Sequence, residues 1–128
     1  MCSSDLRIAR ESGVDGIMVS NHGGRQLDGT LSPLRALPGV VSEAGSMAVM
    51  MDSGIRRGSD VLKALAMGAH FVFVGRPFLY SACLFGEPGV MHAAKLLKDE
   101  VSRNMAMLGI SSFGEMTREL LVPARGPF

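Results

Sequence analysis

The residues best suited to chemistry lie in one short stretch, Ser20-Asn21-His22-Gly23-Gly24-Arg25-Gln26-Leu27-Asp28. His22 carries an imidazole, the side chain that accepts a proton near neutral pH. Arg25 carries a guanidinium, which can grip a carboxylate through two parallel hydrogen bonds. Gly23 and Gly24 between them allow a sharp turn and the close approach of a ligand. A base and an anion clamp are thereby expected at the end of the buried strand Gly16-Ile17-Met18-Val19. The plainer alternative is a surface or packing histidine, and Asp28 reads as a turn residue.

Two further loops raise the first reading. Asp52-Ser53-Gly54-Ile55-Arg56-Arg57-Gly58 follows an apolar run and precedes a helical pattern. Its glycines expose backbone N–H groups, Arg56 or Arg57 supplies charge, and a helix start adds its dipole, which together suit a phosphate. A solvated basic turn is the alternative. Gly75-Arg76-Pro77 follows the third apolar run. If consecutive strands pair, it lies beside the Arg56 loop, and two adjacent strand exits with Gly and Arg match the phosphate position common in β/α barrels.

The elements that must position these loops alternate. A first helix capped by Ser4 and stopped by Gly13 precedes the first strand. Ser32-Pro33 starts a second helix, which Pro38-Gly39 is expected to break or delay. Met47 to Met51 is wholly apolar, as in a parallel strand covered on both faces. Ser59 or Asp60 is expected to cap a third helix through Val61, Leu62, Leu65 and Ala66, with Gly68 as its stop. Phe71 to Val74 is the third strand. Pro88 is expected to open a long helix, because Val90, Ala94, Leu97, Val101, Met105 and Leu108 recur at steps of three and four, and Gly109 ends it. Ser112 to Glu115 forms a capping box before a last short helix through Met116 and Leu120. No hairpin signal occurs, so the strands are parallel with crossover helices, and the polar loops share one sheet edge.

The chain has 128 residues, 47% hydrophobic and 20% charged, with a net charge of +1. That suits one soluble domain and gives no electrostatic case for nucleic acid or a membrane surface. No apolar run reaches the ~20 residues of a transmembrane helix. Met1 to Arg10 is not a secretory signal, and Ala124-Arg125-Gly126-Pro127-Phe128 is no recognised targeting tripeptide. Cys2 and Cys83 make no disulfide framework, which favours a reducing compartment. The ten methionines suggest a plastic core. His70 and His92 read as packing or surface residues, and no His/Cys cluster has metal spacing, so no metal is expected.

Taken together, and in this order and spacing, the His22–Asp28, Asp52–Gly58 and Gly75-Arg76-Pro77 motifs resemble the FMN-dependent 2-hydroxy acid dehydrogenases and oxidases, which include glycolate oxidase, L-lactate dehydrogenase and mandelate dehydrogenase. The similarity runs from Asp5 to about Val122. It implies an α/β fold, the last three strand–helix units of a TIM (β/α)8 barrel, with FMN at the C-terminal mouth; residues 1–128 are then a partial dehydrogenase domain. It implies oxidation of a small L-2-hydroxy acid to the 2-oxo acid. His22 matches the active-site base and also touches substrate. Arg25 matches the arginine on the substrate carboxylate. Asp52, Ser53, Gly54 and Arg56 match the flavin phosphate and ribityl loop, and Gly75 with Arg76 the second phosphate loop. Ser53 stands where many members have glycine; the lactate and mandelate dehydrogenase branch is similar to this chain at that position, which tilts the reading toward a membrane- or quinone-linked dehydrogenase over an oxidase.

A full barrel takes ~250 residues. The family's N-terminal half, with its substrate-binding tyrosines, second arginine, histidine-pairing aspartate and flavin-contacting lysine, has no counterpart here. The expectation is therefore a fragment that is inactive alone, since Met1-Cys2-Ser3-Ser4 stands where five strands should already have passed. The implied partners are a 2-hydroxy acid, the missing half of the barrel, an electron acceptor (quinone, cytochrome or O2) and further copies in a homo-oligomer, at a cytoplasmic or inner-membrane-peripheral location. Two other readings are a non-catalytic FMN- or phosphate-binding domain that packs on a partner, and a different phosphate-binding barrel enzyme.

Overall fold

A computed structural model describes residues 3–123. The expectations for Met1, Cys2 and the Ala124–Phe128 tail, and for the Ser4 side chain, lie outside what it describes. The elements run α1 Ser3–Glu11, β1 Gly16–Val19, α2 Pro33–Ala44, β2 Ala48–Met51, α3 Gly58–Ala66, β3 Phe71–Val72 and α4 Arg76–Leu108. Two short 3-10 turns, Phe113–Glu115 and Arg118–Leu120, close the described chain. They replace the single last helix expected there. Glu115 Oε1 accepts from the Ser111 and Ser112 amides and hydroxyls, so the capping box is satisfied within one turn.

The three strands form one parallel sheet in the order β1-β2-β3. Gly16 pairs with Ala48, Met18 with Met50 and Val19 with Met51, and Met50 with Phe71. Parallel neighbours need crossovers, and α2 and α3 supply them. Gly16 is required at its position, because a Cβ there would stand 2.8 Å from the Ala48 carbonyl oxygen. The third strand is shorter than the expected Phe71–Val74, although the Phe73 N–H still donates to the Met51 carbonyl at 2.8 Å.

The core lies between the sheet and its helices. Leu37 from α2 and Val49 and Met51 from β2 are its largest fully buried side chains. Val61 and Ala64 of α3 and Leu97 and Val101 of α4 join it. Alternate residues point the other way, and there the sheet is open. Met18 is 39% exposed, Phe71 56% and Phe73 42%, with the two phenylalanine rings edge to face at 5.0 Å. The wholly apolar second strand, expected to be covered on both faces, alternates between buried and half-buried residues. Helices cover one face, and nothing within the described chain covers the other.

Three helix boundaries also differ from expectation. α2 runs unbroken through Pro38. Proline there forfeits one backbone hydrogen bond, but Pro33, Leu37, Val40 and Ala44 on the same helix are buried and hold it to the sheet. The α3 N-cap is Arg57, and Asp60 sits at the third helical position, where its carboxylate reaches back to the Arg56 and Arg57 amides at 3.1 and 3.0 Å. α4 begins at Arg76, twelve residues before Pro88. It has two segments joined at Gly86, whose φ of 60° and ψ of −144° break the helical path. Pro88 opens only the second segment.

Candidate functional site

β1 ends at Val19, and the ladder carries one bond further, from the Asp52 N–H to the Val19 carbonyl at 3.2 Å. That bond sets the His22 loop and the Asp52 loop side by side. His22–Gly24 then forms a single 3-10 turn, closed by Gly24 N–H to Asn21 O at 3.0 Å. His22 itself has φ 55°, and Gly23 and Gly24 have φ 68° and 73°. Glycine adopts this left-handed region freely, whereas a non-glycine residue there is uncommon and strained.

His22, Arg25, Asp52, Ser53, Gly54, Arg56, Gly75 and Arg76 all line one open cleft of about 500 Å³. The residues singled out on three separate loops are therefore brought together at the C-terminal ends of the strands. Ile55, Gln26 and Leu79 complete its wall. The volume falls in the ~300–1,000 Å³ range usual for small-molecule and cofactor sites. Among the described residues no three His, Cys, Asp or Glu side chains gather as a metal site. His92 lies on α4 and does not line this cleft, and His70, just before β3, accepts the Val49 N–H through Nδ1 at 3.1 Å, a structural use of the ring.

The two arginines of the second loop have different fates. Arg57 is tied to Glu100 of α4, Nε to Oε1 at 2.7 Å and Nη2 to Oε1 at 2.6 Å. The hydrogen bond from Arg57, helped by one from the Gly58 amide, holds the Glu100 carboxyl below the usual carboxylate range, and the same pairing raises Arg57. Arg56 makes no side-chain hydrogen bond or ion pair among the described residues and faces the cleft. Of the alternatives left open by the sequence, Arg56 is the one free to meet a ligand.

The expected anion site at the start of α3 needs correction. The Arg56 and Arg57 amides are bonded to Asp60, and the Gly58 amide donates to Glu100 Oε2 at 2.8 Å. Two carboxylates already occupy that helix end. The helix start that remains open to the cleft is that of α4, at Gly75 and Arg76, whose amides carry no hydrogen bond within the described chain. Gly75 and Arg76 line the same cleft as Arg56, so this helix start can add its dipole there. Sequence reasoning missed this because α4 was expected to begin at Pro88.

Gly23 is a junction that the sequence did not mark. Its N–H donates to Ser53 Oγ at 2.9 Å, and its carbonyl accepts from Arg76 Nη2. Ser53 Oγ in turn donates to Asp52 Oδ1 at 2.8 Å. Asn21 Oδ1 is enclosed beside the cleft without a hydrogen-bond partner among the described residues. Buried polar atoms are nearly always paired, so this acceptor is one that a bound group or further chain would satisfy. Two guanidiniums, open amides at Gly54 and Gly75 and an orphaned acceptor form a donor-rich surface that fits a phosphorylated polyhydroxy cofactor.

The sequence profile of the FMN-dependent dehydrogenases matches residues 1–123. Over 123 residues the chain is 48% identical to glycolate oxidase 3 of Oryza sativa subsp. indica, covering 95% of this chain and 34% of that protein. It is 47% identical to the L-lactate dehydrogenase (cytochrome) of Wickerhamomyces anomalus, covering 91% of this chain and 22% of that one. The fold superposes on the crystal structure of mandelate oxidase with benzoyl-formic acid with a TM-score of 0.86 and 43% identity, covering 92% of this chain and 36% of that one. The chain thus spans about a third or less of the length of these relatives. With its profile match running through all three loops of the cleft, this chain belongs to the FMN-dependent dehydrogenase family.

Proposed function

We propose that the chain forms the last three strand–helix units of a (β/α)8 barrel, residues 1–128 being the C-terminal part of the domain, and that the complete barrel oxidises a small L-2-hydroxy acid to the 2-oxo acid with FMN. The observation that carries this reading is the single cleft in which His22 and Arg25 face Arg56 and Arg76 from adjacent strand exits. The open sheet face through Met18, Phe71 and Phe73 supports the barrel, since further strands would cover it.

Arg56, with Gly75 and Arg76 at the start of α4, would hold the flavin phosphate. Asp52 and the backbone of Ser53 and Gly54 would meet the ribityl chain. FMN, when bound, supplies a two-electron acceptor. Arg25 would hold the substrate carboxylate by its planar fork, which fixes the hydroxyl-bearing carbon between cofactor and base. A nitrogen of His22 would take the proton lost as the 2-hydroxy acid becomes a 2-oxo acid.

His22 has no carboxylate partner among the described residues, and an unoriented imidazole is a poor base. The chain alone is accordingly proposed to be inactive, at most an FMN- or phosphate-binding piece, until the rest of the barrel is joined to it. The electron acceptor, as a quinone, cytochrome or O2, and assembly as a homo-oligomer, belong to that complete protein, as does a cytoplasmic or membrane-peripheral location. No described helix is long and apolar enough to cross a membrane. The test is anaerobic mixing of the complete flavin-loaded barrel with glycolate, L-lactate and mandelate. Bleaching of the flavin by one or more is expected; no bleaching by any 2-hydroxy acid counts against the reading.

A further inference from the structure

Ser53 is the second non-glycine residue of the cleft with a left-handed backbone, at φ 67°. Such a conformation persists only where the surroundings hold it. What holds Ser53 is its hydroxyl, which donates to Asp52 Oδ1 at 2.8 Å and accepts the Gly23 N–H at 2.9 Å. On its other side the Gly23 peptide is held by Arg76, through the carbonyl. Gly23 directly follows His22, which is also left-handed at φ 55°. The His22 turn is therefore gripped at one residue by the loops after the other two strands, β2 and β3. The Ser53 hydroxyl hydrogen is committed to Asp52, so its side chain serves the loops and not a ligand.

We propose that Ser53 is a positioning residue for His22. Its hydroxyl carries the position of Asp52 to the peptide that follows the histidine, and so fixes the backbone from which the imidazole projects. Glycine at position 53 would adopt the same φ more easily, yet would leave the Gly23 N–H without this acceptor. Alanine would keep the strain and lose the hydroxyl. The role of His22 rests on the function proposed above; the Asp52–Ser53–Gly23 tie does not.

The two substitutions separate hydroxyl from backbone. Ser53→Gly and Ser53→Ala are made in the complete flavin-loaded barrel, beside the parent and His22→Gln. Three quantities are read: flavin reduction at saturating substrate, FMN affinity, and hydrogen exchange of the Gly23 amide by NMR. Both Ser53 variants should slow flavin reduction roughly tenfold through misplacement of the base, while KM and FMN affinity change less than about twofold, because no ligand contact is removed. The Gly23 amide should exchange roughly tenfold faster in both, as expected for loss of one hydrogen bond. Unchanged exchange at Gly23 overturns the tie. A Ser53→Gly variant at the parent rate beside a slowed Ser53→Ala would assign the effect to backbone strain and overturn the positioning role. A slow His22→Gln with both Ser53 variants at the parent rate sinks this inference alone. A His22→Gln variant at the parent rate sinks the proposed base, and the positioning role with it.

Discussion

Two helical glycines predict opposite outcomes for the same substitution. Gly58 opens α3 where it crosses α4, and a Cβ there would stand 2.5 Å from the Val101 nitrogen, 2.6 Å from the Glu100 Cβ and 2.7 Å from the Glu100 carbonyl carbon. All three atoms belong to the α4 backbone or sit directly on it, so no side-chain rotation relieves the overlap; one helix must move. Overpacking of this kind costs about 1–3 kcal/mol. Against it stands the ~0.4–1 kcal/mol gained when alanine restricts the unfolded chain. Gly58→Ala should therefore destabilise by ~1–2 kcal/mol net. Gly39, exposed within α2, has nothing within 4 Å of its ideal Cβ, and Gly39→Ala should stabilise by ~0.5–1 kcal/mol. With an unfolding entropy of ~2.1 cal/mol/K per residue over this chain, each kcal/mol moves Tm by about 4 °C. Circular dichroism melts should show Gly58→Ala about 4–8 °C below the parent and Gly39→Ala about 2–4 °C above it. Equal Tm shifts in the two variants would refute the close α3–α4 crossing, and with it the placement of Arg57 against Glu100.

Arg56→Ala and Arg76→Ala should each weaken FMN binding to the complete barrel by roughly 10- to 150-fold, the ~1.5–3 kcal/mol of a hydrogen bond to a charged group, while Arg57→Ala should change it little because Arg57 is turned to α4; fluorescence titration decides, and equal losses in all three would remove the distinction. The Glu100 carboxyl is depressed by Arg57 and by the Gly58 amide, so its contribution to stability is complete above the ordinary glutamate range and is lost as pH falls through its lower folded-state value. Melts across that acid window should show the parent converging on Glu100→Gln, and a constant gap between the two would contradict the pairing.

The strands and their exits were legible because they are coded locally. Gly16–Val19, Met47–Met51 and Phe71 onward are apolar runs, and each is followed within a few residues by Gly with His or Arg. Parallel pairing then forces the three exits onto one edge, which is why His22, Arg25, Arg56 and Arg76 meet in one cleft. What escaped the sequence depends on distance. Arg57 and Glu100 are 43 positions apart, and no periodicity links them, so the choice between Arg56 and Arg57 was open. The first segment of α4 was hidden because Leu79, Tyr80, Leu84 and Phe85 are all exposed and give no single apolar stripe. Pro38 looked like a helix breaker because local propensity favours a break; the buried face of α2 overrides it. Ser53 read as a loop residue, since nothing in the order of residues shows that its hydroxyl reaches Gly23, 30 positions away.

The proposed role of His22, as the base in a cleft that holds flavin and a 2-hydroxy acid together, is open to a rapid-mixing experiment. The complete barrel is loaded with FMN, as the parent and as His22→Gln, and mixed anaerobically with the 2-hydroxy acid that bleaches the parent. Glutamine keeps the size and hydrogen bonding of the side chain and removes the basic nitrogen. Flavin should remain bound while its reduction slows by roughly 10²–10⁴, the contribution of a general base. Reduction of the His22→Gln flavin at the parent rate would contradict that role.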